Sequence, residues 1–266
     1  MAKKKSSTPK PKIVRRLFGW VPDFPDHRDL MYSAPLRVAT VPLPASVDLR
    51  PKGPQEVYDQ GQLGSCTGNS IAAAHEFDQI QQGLQPVFTP SRLFIYYNER
   101  AMEGTIKSDG GAQIRDGIKS IGKQGVCPET MWPYVINKFA DKPPQSCYTE
   151  AEKHCAIRYY RVPRLLSQIK GCLAEGFPFV YGFTVYESFE SEQVAKTGIV
   201  PMPAAHETVL GGHAVLAVGY NDQQQRLIVR NSWGSGWGMK GYFTMPYAYL
   251  LDSNLSDDFW TVRQVA

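Results

Sequence analysis

A cysteine stands at a loop-to-helix junction in this chain. In DQGQLGSC, residues 59 to 66, a turn-rich loop ends on Cys66, and TGNSIAAAHEFDQIQQG behind it has the pattern of a helix. The thiolate is the nucleophilic form of a cysteine. A helix N-terminus stabilises that anion, and a neighbouring imidazolium does so more strongly. His213 opens an apolar strand after Gly211 and Gly212, in GGHAVLAVGY, where a histidine can face a cleft. Asn231 ends a further apolar run in RNSWGSGWG. An asparagine there can accept from a histidine N–H and fix the ring, as the third member of any triad must. Trp233 would cover that hydrogen bond from water. Gln60, six residues before Cys66, is placed to join the Cys66 backbone N–H in an oxyanion hole. Together these groups suit nucleophilic attack on an acyl carbon.

Each residue has a plainer reading. Cys66 can be a core thiol, His213 a satisfied edge histidine, Asn231 a turn asparagine and Gln60 a surface glutamine. The other histidines offer less: His27 lies in the N-terminal segment, His75 deep in the helix, and His154 and His206 in polar stretches. A phosphate-cradling loop at RNSWGSGWG would need a helix after it, and MKGYFTM reads as a strand. His206, Glu207 and His213 lack a recognised metal-ligand spacing, so no metal or cofactor is expected.

The elements that must position these groups divide the chain. Ala73, Phe77, Ile80 and Leu84 share one face of the helix behind Cys66, with Gly83 at its end. A second helix is predicted from Thr89 as N-cap, with Pro90 in its first turn. A third places Ile114, Ile118 and Ile121 on one face and stops at Gly125, and a fourth spans 165–176. Strand-like runs follow at 177–186, 213–220, 226–233 and 241–245, rich in Val, Ile, Tyr and Phe. The expectation is an α+β protein of two lobes. A mainly helical lobe, 43–150, carries Cys66. A mainly β lobe, 151–266, carries His213 and Asn231. A cleft between them would hold the site.

Composition narrows the partners. The 266 residues are 42% hydrophobic and 20% charged, an ordinary globular balance. Residues 1–16 carry seven Lys or Arg and no acid; removing those seven from 29 leaves 22 basic against 25 acidic residues, a net of −3. The body is therefore not a basic nucleic-acid binder, and the tail reads as solvated and disordered. No apolar run approaches the ~20 residues of a membrane span, and no h-region follows the lysines. The protein is expected to be cytoplasmic or exported by a leaderless route, and monomeric. Five cysteines, Cys66, Cys127, Cys147, Cys155 and Cys172, leave an odd thiol for chemistry.

At DQGQLGSC, GGHAVLAVGY and RNSWGSGWGMKGYF, in that order, the chain resembles the papain-like cysteine peptidases, and its FGWVPDFPDHRD segment and overall length are similar to a bacterial subgroup of them. SVDLRPKG, SDGGAQ, GVCPETMWPY and GIVPMP add weaker likeness from about Pro42 to GYFTM. His213 follows Cys66 by 147 positions (213 − 66), inside the family window of ~130–150; Asn231 falls somewhat beyond it. Leu63 stands where the family signature has a cysteine and Thr67 where it has an aromatic residue, so the disulfide from the first position cannot form. The resemblance implies a papain-like two-lobe fold with a helical left lobe and an antiparallel β-barrel-like right lobe. It also implies peptide or protein substrates. By motif, Cys66 is the nucleophile, His213 the general acid/base, Asn231 the orienter, Gln60 the oxyanion donor and Trp233 the shield. Gly110 and Gly111 match the groove strand that pairs with substrate backbone, and Gln113 and Ala214 border the main specificity pocket, with its base near 247–257. No extra histidine-bearing loop blocks a cleft end, which favours an endopeptidase. The alternatives are an exopeptidase or transpeptidase, and an inactive homologue that binds peptides.

LFGWVPDFPDHRDLMYSAP, 17–35, is too aromatic for a free tail. It is expected to lie across the cleft and inhibit, as a short pro-segment within 17–42. The alternative is a permanent strap that stabilises the fold.

Overall fold

A computed structural model describes residues 17–35 and 42–266. The basic tail, 1–16, lies outside the described residues.

Seven helices and seven strands are described: strand β1 (Ser46–Asp48), helices α1 (Cys66–Gln81), α2 (Arg92–Glu103), α3 (Ile114–Lys123) and α4 (Gln145–Ala151), strand β2 (Ala156–Arg161), helix α5 (Leu166–Ala174), strand β3 (Phe179–Tyr186), helix α6 (Glu192–Thr197), strands β4 (Val209–Asn221), β5 (Arg226–Arg230) and β6 (Tyr242–Pro246), helix α7 (Tyr247–Leu251) and strand β7 (Ser256–Val265). The helical face expected behind Cys66 widens into a helix buried almost all round. Thirteen of the sixteen α1 residues are buried, because α1 packs on α2 and α3 on one side and on β4 and β7 on the other. Ala72, Ala73 and Ala74 keep it slim enough to fit there. Phe77 is fully buried as well, and such a ring contributes about 1.5–3 kcal/mol.

The second helix starts later than its sequence pattern suggests. Ser91, not Thr89, is the N-cap, and its hydroxyl accepts from the Phe94 N–H. Pro90 instead forms an isolated bridge to Pro128. Three strands and three short helices, β1, β2, β7, α4, α6 and α7, lie outside the runs read from the sequence.

The strands form one antiparallel sheet in the order β2-β7-β3-β4-β5-β6, with β1 added to the end of β4. The expected barrel-like lobe is thus an open seven-stranded sheet that does not close on itself. β4 lies at its centre, buried from His213 through Tyr220. A strand covered on both faces reads as a continuous apolar run, as HAVLAVGY does. Register sets Phe183 opposite His213 and Gly182 opposite Ala214. Arg230, at the end of β5, donates to the carbonyls of Pro54 and Glu56 and ties the sheet to the loop that leads into Gln60.

Candidate active site

Cys66 is the first residue of α1 and is fully buried. Its loop is held from two sides. The Gly64 N–H donates to both oxygens of Asp109 at 3.0 and 3.1 Å, and Tyr96 donates to the same carboxylate. The Tyr134 hydroxyl lies 2.5 Å from Ser65 Oγ and donates to the Gln60 carbonyl. Thr67, in place of the family's aromatic residue, donates to the buried Glu99 on α2 at 2.5 Å. Leu63 is a buried apolar residue in a small cluster with Leu93, Tyr96 and Ala112.

The sheet delivers the other groups. Nε2 of His213 lies 2.8 Å from Oδ1 of Asn231. That oxygen can only accept, so the ring proton sits on Nε2. Oδ1 also accepts from the Ser232 N–H at 2.9 Å, which fixes the carboxamide. Trp233 packs over the pair, its ring 5.1 Å from the imidazole, and is itself buried. Ala214, next along β4, aims its N–H at the Cys66 sulfur. Gln60 is fully buried. Its Oε1 accepts from Ser232 Oγ at 2.6 Å, which turns Nε2 toward the carbonyls of Leu63 at 2.9 Å and Leu17 at 3.2 Å. Cys66, His213, Asn231, Gln60 and Trp233 are therefore brought together.

The N-terminal segment occupies the same place. Gly19 aims its N–H at the Cys66 sulfur, and its carbonyl accepts from the Ala112 N–H at 2.8 Å. Trp20 donates to the Gly212 carbonyl and Val21 to the Ala112 carbonyl, at 2.8 and 3.0 Å. Phe18 sits against His213 and Trp233 at 6.1 and 6.3 Å. Of the groove residues, Ala112 makes the backbone pairs, while Gly111 (φ +84°) leaves the clearance. A Cβ there would meet the Gly19 oxygen at 2.1 Å. Gly110 lies beside this turn, with Ser108 Oγ 3.3 Å from where its Cβ would be. Gln113 accepts from the Phe24 N–H. Further along, Asp29 holds Arg115 through both carboxylate oxygens, the shortest contact 2.6 Å. Leu30 and Tyr32 pair with Arg161 of β2. Burial beneath the segment pushes the Cys66 thiol up to about 12, and the N–H groups of Ala214 and Gly19 oppose this without reversing it.

The remaining histidines lie elsewhere. His75 is buried in α1, and burial lowers it to about 4, so it is a neutral core residue. Glu207 caps a turn by accepting from Ser188 and Ala204. Among the described residues, no three His, Cys, Asp or Glu side chains converge as metal ligands. No described helix is long and apolar enough to cross a membrane. All five cysteines are free thiols. Sequence reasoning missed Ser232, Tyr134, Asp109 and Ala112. All four lie inside motifs quoted from the sequence, Ser232 in RNSW, Asp109 and Ala112 in SDGGAQ and Tyr134 at the end of GVCPETMWPY, so their positions carried a signal although their roles did not.

A thiol at the head of a central helix, beside the sheet strand that carries an asparagine-held histidine, belongs to the thiol-dependent hydrolases. The chain is a member of the papain family of cysteine proteases, whose family model matches residues 43–254. It is 46% identical to an uncharacterized peptidase C1-like protein of Acanthamoeba polyphaga mimivirus, over 95% of this chain and 88% of that one. The structure of xylellain, a cysteine protease from Xylella fastidiosa, superposes with a TM-score of 0.89 at 43% identity, covering 98% of this chain and all of the other. Pro-cathepsin H of Mus musculus is 30% identical over 77% of this chain, which spans 60% of the length of that relative.

Proposed function

We propose that this cysteine peptidase is an endopeptidase made in a self-blocked form. Cys66 attacks the scissile carbonyl, whose developing oxyanion takes hydrogen bonds from the Gln60 side chain and the Cys66 backbone N–H. With Nε2 committed to Asn231, Nδ1 of His213 carries the proton from the thiol to the leaving amine. Water then clears the thioester. Residues 17–35 are the inhibitory segment.

One observation carries the self-blocked reading, the direction of the segment in the cleft. The leaving amine of a substrate departs on the histidine side, so residues C-terminal to the scissile bond lie there. Here Phe18, on the N-terminal side of Gly19, packs on His213 and Trp233. Trp20, on the C-terminal side, lies at Gly212. The segment runs backwards relative to a substrate. Its carbonyls cannot be attacked with the amine toward His213, so the block persists beside a complete catalytic set.

The test is the intact mass of the purified wild type and of Cys66→Ala, incubated with reductant from pH 4 to 8, followed by hydrolysis of an internal-bond peptide substrate. Loss of roughly the first 40 residues by the wild type alone, with cleavage of the substrate, is the expected result. Cleavage at full rate by the uncut chain would overturn the self-blocked reading, and equal activity of Cys66→Ala would overturn the peptidase mechanism.

A further inference from the structure

Trp20 does more than cover the cleft. Its indole fills a slot between two strands. A Cβ on Gly182 would lie 2.0 Å from the indole, and one on Gly212 would lie 2.8 Å from it. Any other residue at either place would close the slot. At its inner end stands Asp258 of β7, 1% exposed, whose Oδ2 accepts from the indole N–H of Trp20 at 3.0 Å and from the Asp23 N–H at 2.8 Å. Its Oδ1 accepts from Arg161 at 3.0 Å. Asp258 is held at φ +59°, a conformation that costs a non-glycine residue on the order of 1–3 kcal/mol.

Both donors to Oδ2 belong to the segment. When it leaves, this oxygen loses both donors and lies at the inner end of the opened slot, where a substrate N–H can take the place of the indole. The surroundings do not ask for a cation. Arg161 and Arg164 already pair with Asp257 and Asp258, and Arg115 loses both Asp23 and Asp29. What fits is a flat side chain as wide as an indole, neutral, with an N–H at its far edge. Gly19 covers Cys66, so the slot receives the next residue away from the histidine side, the second residue on the acyl side of a scissile bond.

We propose that this slot selects tryptophan at that substrate position, with Asp258 as the residue that reads the indole N–H. This assignment rests on the peptidase reading above.

The test uses the full-length chain carrying Gly19→Ala, which lifts the segment off Cys66, together with Trp20→Gly, which vacates the slot. Peptides that differ only at the slot position (Trp, Phe, Leu or Arg) are compared by kcat/KM. Tryptophan should exceed phenylalanine by roughly 10- to 100-fold, the worth of one hydrogen bond to a charged group. Asp258→Gly, which suits the positive φ, should erase that preference. Leucine, phenylalanine or arginine cut as fast as tryptophan would overturn the assignment while leaving the peptidase intact. Binding of free indole and of benzofuran, its shape-mate without the N–H, reads the slot without turnover. Indole should bind at least about tenfold more tightly, and equal affinities would overturn the assignment. Selective indole binding by a chain that cuts no peptide would sink the peptidase reading and leave the slot standing. If Trp20→Gly does not fold, the unfolding cycle of Trp20→Phe with Asp258→Gly replaces it. Coupling between the two residues is expected, and none would overturn the assignment.

Discussion

Gly19 and Gly64 are in such close contact that a methyl group on Gly19 would stand 1.7 Å from the Gly64 carbonyl oxygen. The two glycines are where the segment presses on the loop that carries Cys66. Gly19→Ala cannot be accommodated by a side-chain shift, because the obstacle is backbone. The variant is expected to lift the segment off Cys66 without touching the body of the fold. Peptide hydrolysis should then appear with no prior processing. A Gly19→Ala chain as silent as the wild type, with its segment still protected from an added protease, would contradict this.

Arg115 is the main clamp on the far part of the segment. Its guanidinium binds Asp29 and the Phe24 carbonyl, and its backbone N–H donates to Asp23. The Arg115 and Asp29 side chains are 6% and 2% exposed. Replacing Arg115 by Met takes the closest partner from the buried Asp29, which keeps Lys119 and Arg161 at 3.4 Å each, so the cost stays below the about 3–5 kcal/mol of a fully broken buried pair. The cost is expected to fall on docking of the segment. It should show as faster clipping of residues 17–35 by an added protease, and as faster alkylation of Cys66 by iodoacetamide.

The segment should hold more tightly in acid than at neutral pH. Burial, and then the neighbouring Asp258, raise the Asp23 carboxyl from 3.8 to about 7; burial also raises Asp258. A raised carboxyl binds its proton more firmly in the docked state than after release. Its contribution to docking is therefore complete below about pH 4 and is lost as pH rises through about 7. One proton changes the docking equilibrium by up to about tenfold per pH unit within that window. Clipping of the segment by an added protease, measured at pH 5, 6 and 7 in Cys66→Ala, should accelerate with pH, and Asp23→Asn should flatten the profile. Acceleration toward pH 5 would contradict the assignment.

The proposed mechanism gives Gln60 and His213 different steps. In the Gly19→Ala background, Gln60→Ala should lower kcat by roughly 10²–10³-fold through loss of an oxyanion donor. His213→Ala should lower it by about 10²–10⁴-fold, and should also remove the rise of thiol alkylation near neutral pH, which Gln60→Ala should leave in place. Alkylation profiles that respond alike to both changes would mean the roles are misassigned.

The helices α1, α2 and α3 were legible because each keeps a 3.6-residue apolar period between glycine or proline boundaries. The central strands were legible because they are continuous runs of β-branched and aromatic residues. The strand at 256–265 was not. SDDFWTVRQV opens with two acids, and nothing local shows that Asp258 turns inward to meet a segment more than 230 positions earlier. The resemblance places the base of the specificity pocket near 247–257, and Asp258, which meets the Trp20 indole, falls just beyond that range. Ser91 displaced Thr89 as helix cap because Pro90 bridges to Pro128, a contact between chain segments that no local pattern contains.

The residue types alone determined the chemistry: a thiol at a helix start, a histidine after paired glycines, an asparagine before a tryptophan, and the order in which they come. Those are short-range signals, because a helix start, a strand edge and a turn are written within a few residues. The tertiary structure decided whether the site is open. Which way residues 17–21 run through the cleft, which carbonyl faces Gln60 and which carboxylate meets the Trp20 indole depend on hydrogen bonds between distant parts of the chain. Their register is set by the packing of the whole sheet against α1, and no window of sequence holds that information.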